Sequence, residues 1–228
     1  MSDSPVWLCL GSSVTAPAML PRALAAYPGC TRITTNSGIL LMLPPDNVPH
    51  YYFLSDHGAC KTFAATAMDL RHTHGMQVIT LGRRYESAIK RRGLSDVDYL
   101  IHQARPTRPC DFARHVYTDC MFSGLYCVQF ALNNGATTIV AVGHDGYPSV
   151  DGERCYWDKD ETPVAKRQAL AYTKNWVGPW WRNAVAGCPE VTFHFFGRLQ
   201  YEVDGPNVRK TTDANRAISA LAAANECR

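Results

Sequence analysis

No Cys-x-x-Cys pair occurs in the 228 residues, and the nine cysteines are odd in number and irregular in spacing. That pattern argues against a disulfide scaffold. Cys9 in VWLCL and Cys127 in LYCVQF sit inside apolar runs, where a thiol acts as a small buried hydrophobe. The Gly-x-x-x-x-Gly-Lys-Ser/Thr loop is missing, which argues against an ordinary P-loop ATPase. No apolar run approaches the ~20 residues of a membrane span. The start, Met-Ser-Asp-Ser-Pro, has neither the basic residues nor the apolar stretch of a secretory signal, so the expected compartment is the cytoplasm. There is no internal repeat, linker or low-complexity tract. The net charge of +3 is too small to demonstrate a nucleic-acid partner.

What is there is an ordinary globular composition, 46% hydrophobic and 19% charged, enough for one domain over residues 1–228 with a substantial core. Short apolar, β-branched runs alternate with longer amphipathic ones. Strands are predicted at 6–10, 31–35, 51–54, 77–81, 98–102, 137–142 and 191–196. Helices are predicted at 17–26, 59–72, 85–92, 123–133, from 163 to about 185 with a kink at Gly178-Pro179, and at 213–224. This alternation predicts an α/β fold, a mostly parallel sheet with helices on both faces. The polar, aromatic stretch 148–162 reads as a lid or binding loop.

In such sheets ligands bind at the loops that follow the strands. Four of these loops are polar: Gly11-Ser12-Ser13, Asn36-Ser37-Gly38, Ser55-Asp56-His57-Gly58 and Gly143-His144-Asp145-Gly146-Tyr147. Gly11 allows the backbone close to a phosphate, and Ser12 and Ser13 offer donors at a helix entrance. His144 and Asp145, or Asp56 with His57, are the candidate acid–base groups; a turn cap or a helix cap is the plainer role for each pair. His72-x-His74 points its rings apart on a helix and is a poor metal pair. Asp96-Val97-Asp98 and Asp158-Lys159-Asp160 match the Asp-x-Asp of metal-using transferases, so magnesium is admitted without being indicated. Arg83, Arg84, Lys90, Arg91, Arg92, Arg105 and Arg108 form either a solvated helix face or a patch that tracks phosphates. Trp176 and Trp180 suit core packing, whereas Tyr156 and Trp157 could stack on a sugar or base.

The segment FSGLYCVQFALNNGATTIVAVGHDGY resembles a stretch of the small bacterial sialyltransferases, in which Ser-Gly opens a helix and an apolar strand runs into Gly-x-Asp-x-Tyr. It is similar as well to a broader family that includes archaeal 6-hydroxymethylpterin pyrophosphokinases. LCLGSS resembles their Gly-x-Gly-Pro-Ser opening, ITTNSGI their second strand and YYFLSDH their third. The resemblance implies a Rossmann-like nucleotide-binding fold. It implies that Gly11 and Ser13 lie beside the phosphates and that Asn36 contacts the nucleotide. Ser55 or Asp56 would then sit at the donor site, Ser123 and Gly124 against the donor, and Asp145 and Tyr147 at the nucleoside or phosphate. Residues 148–170 hold no histidine where the sialyltransferases carry their base.

The expected function is therefore a nucleotide-sugar-dependent glycosyltransferase with no covalently bound cofactor. Asp145, His144 or Asp56 would be the base. Its acceptor is left open, and a hydroxymethylated base in DNA is one choice. The alternatives are a pyrophosphokinase-like phosphotransfer to a heterocycle, needing ATP and magnesium, and a non-catalytic nucleotide-binding module.

Overall fold

The computed structural model describes residues 5–54, 57–82, 97–102, 112–113, 115, 117, 122–146 and 173–212, with the side chain of residue 57 excepted. The predicted lid at 148–162, the basic cluster, the helices at 85–92 and 213–224, and Ser55, Asp56 and Tyr147 lie outside these residues.

Eight strands form one sheet: β1 (Val6–Leu10), β2 (Thr31–Thr35), β3 (Tyr51–Phe53), β4 (Gln77–Leu81), β5 (Tyr99–Ile101), β6 (Thr138–Val142), β7 (Thr192–Phe196) and β8 (Val208–Thr211). Their order is β5-β4-β3-β2-β1-β6-β7-β8, and every pairing is parallel. Among the described residues the α-helices are α1 (Ala16–Ala26), α2 (His57–His74), α3 (Ser123–Asn133) and α4 (Gly178–Gly187). The architecture is α/β and Rossmann-like.

Side-chain alternation along each strand sorts the core into two faces. Trp7, Cys9, Ile33, Tyr51, Phe53, Ile139 and Phe195 pack with Leu125 and Val128 of α3 and with Trp180 and Trp181 of α4. On the opposite face Leu8, Leu10, Val140 and Val142 meet Met19 and Leu20 of α1. Tyr52 and Val78 meet Phe63 and Leu70 of α2 there. Both faces are covered, and β1 (VWLCL) is accordingly apolar throughout, as strands buried on two sides are.

Three local features differ from expectation. Asn36-Ser37-Gly38, read as a loop, opens a 3-10 helix (Asn36–Leu41) that Asn36 enters with φ 48. The kink expected at Gly178-Pro179 is a junction: a π-helical turn (Thr173–Val177) hands over to α4, whose first turn holds the proline, where its missing N–H costs no intrahelical bond. The strand β8 was not anticipated, because V-R-K-T carries two charges and only one apolar residue. The five described cysteines, Cys9, Cys30, Cys60, Cys127 and Cys188, are buried free thiols. No helix among the described residues is long and apolar enough to cross a membrane.

Candidate active site at the sheet switch point

The strand order reverses between β1 and β6, the place at which open α/β sheets take their ligands, and the loops that follow these two strands meet there. Gly11 donates its N–H to the Val142 carbonyl (2.8 Å), and Ser13 donates to the Gly143 carbonyl (3.3 Å). A β-carbon on Gly11 would overlap the Gly143 carbonyl, and Gly143 itself turns with φ +69. Both glycines are fixed by this approach of two backbones.

His144 fills the space beside it. Its Cδ2 faces Gly11 and its Cε1 faces Gly124, where a β-carbon would come within 2.9 Å of the ring. Trp181 closes the remaining side edge-on, with ring centroids 5.5 Å apart. Burial holds the imidazole down to about 4, only partly offset by the Cys9 carbonyl that accepts from it. It is therefore neutral at pH 7, and its buried Nε2 has no hydrogen-bond partner.

Asp145 is 1% exposed and turns inward. Its Oδ2 accepts from the Ser13 hydroxyl (2.6 Å) and from the Thr15 hydroxyl. Burial pushes the carboxyl above its ordinary range, and the Ser13 and Thr15 hydroxyls with the Thr15 and Arg198 amides pull it partly back. Its Oδ1 abuts Gly197, just past β7, and lacks a well-formed hydrogen bond. The backbone of the pair is tied down as well: Tyr201 donates its hydroxyl to the His144 carbonyl (2.5 Å), and Gln200 donates its N–H to the Asp145 carbonyl (2.7 Å). Three loops thus meet at one carboxylate.

The helix α3 starts beside this knot. Phe122 at its N-cap offers no side-chain oxygen, so the first-turn amides at Ser123 and Gly124 are left to water or a ligand. Ser123 and Gly124 are half-buried, and Ser12 is 6% exposed. Asn36 stands one strand away, its carbonyl accepting from Tyr52 (3.0 Å) and its Oδ1 from Thr35 (3.3 Å). Of the predicted site residues, Gly11, Ser12, Ser13, Ser123, Gly124, His144 and Asp145 therefore gather at one end of β1 and β6, with Asn36 at the end of β2. Ser55, Asp56 and Tyr147 fall outside the described residues.

Thr15, Gly197 and Tyr201 were not singled out from sequence. Thr15 carried a faint signal, as a hydroxyl two residues past Ser13 at a helix entrance; Gly197 and Tyr201 carried none. Asp98, half of one Asp-x-Asp candidate, is committed elsewhere, since both its oxygens accept from Arg71 (3.0 and 3.1 Å) and Oδ2 also accepts from the Val78 amide (2.7 Å). Among the described residues no three His, Cys, Asp or Glu side chains gather in a metal-holding group.

No protein-family model and no curated protein sequence matches the chain. Among solved structures it is similar in fold to the MAf glycosyltransferase from Magnetospirillum magneticum AMB-1, with a TM-score of 0.57 and 12% identity. The likeness covers 96% of this chain and 36% of that enzyme, so this chain spans about a third of its length.

Proposed function

We propose that the chain binds the donor of a glycosyl transfer, a nucleotide-sugar, with its phosphate over the switch point and the start of α3. The observation that carries this is the uncapped first turn of α3 beside the switch-point residues Gly11, Gly143 and His144, a place suited to an anionic group approached by backbone amides. The resemblance of residues 122–147 to sialyltransferases and the fold shared with a glycosyltransferase support the same reading.

In such a transfer an acceptor hydroxyl attacks the anomeric carbon while the bond from that carbon to the phosphate oxygen breaks. The nucleotide leaves with the electron pair, and the acceptor proton passes to a base. The main-chain amides at Ser123 and Gly124 would stabilise the leaving phosphate. Neutral His144, its ring enclosed and its Nε2 buried, would support the loops beneath the donor. Asp145 would act by holding the β1–α1 loop in shape; turned inward and bonded to two hydroxyls, it is a positioning residue. Asp56 remains the other candidate base.

Calorimetric titration of the full chain with CMP-sugars, UDP-sugars and ATP with magnesium tests the reading. A nucleotide-sugar at a hundred times its dissociation constant should stabilise the fold by about 2.7 kcal/mol. Stabilisation by ATP with magnesium alone would transfer the assignment to phosphoryl transfer. Absence of binding by every nucleotide would end both.

A further inference from the structure

A second concavity, of about 450 Å³, lies at the N-terminal ends of β2, β3 and β4, the end of the sheet away from the switch point. Its volume is in the range of small-metabolite sites. Three nitrogen-bearing side chains line it from three separate segments: Arg32 at the start of β2, His50 just before β3, and His74 at the end of α2.

The guanidinium of Arg32 has no carboxylate partner among the described residues. Its NH1 reaches only the Asp46 carbonyl, at 3.3 Å, and its buried Nε has no partner at all. A half-buried cation left in that state calls for an anion. His50 is oriented for the same task. Its Nδ1 accepts the Arg32 main-chain N–H (3.0 Å), which puts the hydrogen of the neutral ring on Nε2 and makes that nitrogen a donor. Burial and then the Arg32 charge hold this ring below its ordinary pKa. The exposed Asp46 carboxylate on the rim would accept from ligand hydroxyls. Positive charge and N–H donors therefore converge within the cavity, with one acceptor at its mouth.

We infer that this cavity is a binding site for a small phosphomonoester, of the sugar-phosphate class, held by Arg32, His50 and His74. The site is independent of the nucleotide reading, because it uses none of the switch-point residues.

The test follows the imidazole and guanidinium NMR signals of the full chain during titration with inorganic phosphate and with ribose 5-phosphate at constant ionic strength. Saturable shifts should appear at Arg32, His50 and His74, and the His50 titration should move to higher pH as the anion offsets the Arg32 charge. Arg32→Gln should weaken binding about tenfold, equivalent to about 1.4 kcal/mol. His74→Ala, a change at an exposed helix end, should weaken it about threefold, the scale of an exposed charge contact, and keeps the test open if the arginine variant fails to fold. Unsaturable shifts, undiminished affinity in the variant that folds, or equal perturbation by acetate would each overturn the proposal. So would binding of an oligonucleotide lacking terminal phosphate when neither small phosphate binds. A null result here would leave the donor titrations at the switch point untouched.

Discussion

The imidazole of His144 occupies a space bounded by two glycines and a tryptophan, and its titration is tied to folding for that reason. In the unfolded chain it binds a proton near its ordinary value of 6.5, whereas in the fold it does so only near 4. Its contribution to stability is complete above pH 6.5 and is lost as the pH falls toward 4, by up to roughly 3 kcal/mol. Asp145 acts in the opposite direction: its raised carboxyl favours the fold at acid pH and offsets part of the loss. Urea unfolding between pH 7 and 4.5 should show a decline that His144→Gln flattens; an unaltered slope would mean that the ring is not enclosed. Asp145→Ala should cost about 2–4 kcal/mol, since it strands the Ser13 and Thr15 hydroxyls in the interior. A double-mutant cycle with Ser13→Ala should return a coupling of about 1 kcal/mol, and additivity would remove the strut. The Gly-His-Asp-Gly turn was legible as the end of a strand. That its carboxylate turns inward was not, because the Thr15 hydroxyl that receives it lies 130 residues earlier in the chain.

Elements were legible where one periodicity dominated. β1, β2, β4 and α3 have their predicted limits, and the other predicted strands within the described residues are shorter by one residue at one end, or at both ends for β5. These segments are buried on one stripe or on both faces, so hydrophobic spacing alone specifies them. β8 was invisible because its pattern is half-exposed and its pairing with β7 comes from the backbone. The Asp-x-Asp at 96–98 shows a different limit. Asp98 fits a metal motif in sequence, but in space it fastens the end of α2 to the start of β4 through Arg71 and the Val78 amide. Burial pushes this carboxyl up, but the bonds from Arg71 and Val78 outweigh it and hold it below the usual range. Its support for the fold is present above the ordinary carboxylate pKa and is lost as the pH drops through the lowered value. Asp98→Ala should cost about 1–3 kcal/mol in urea unfolding at pH 7, the scale of hydrogen bonds to a charged group. A variant as stable as the parent would show that water replaces the carboxylate freely.

Across the whole molecule the sheet is graded. β2, β1 and β6 run through its middle, each with four of five residues buried, whereas β8 at one edge has no fully buried residue and β5 at the other has one of three. Opening of an edge strand exposes little apolar surface, while freeing β1 would uncover parts of the core on both faces. Local opening free energies should therefore rise from the edges inward. Hydrogen–deuterium exchange should find the amides of β1, β2 and β6 the slowest and those of β8 and β5 faster by orders of magnitude, since each 1.4 kcal/mol is about a tenfold change. The two loops of the switch point spring from well-held strands and bond to each other, so their shape is pre-formed and a ligand need not order it. On adding a nucleotide-sugar, protection should rise in residues 11–15 and at the start of α3, with no comparable change in β8. If β8 exchanges as slowly as β1, the grading is wrong, and if the loop after β1 exchanges freely until ligand is added, that loop is ordered by binding and the rigid strut at Asp145 is wrong.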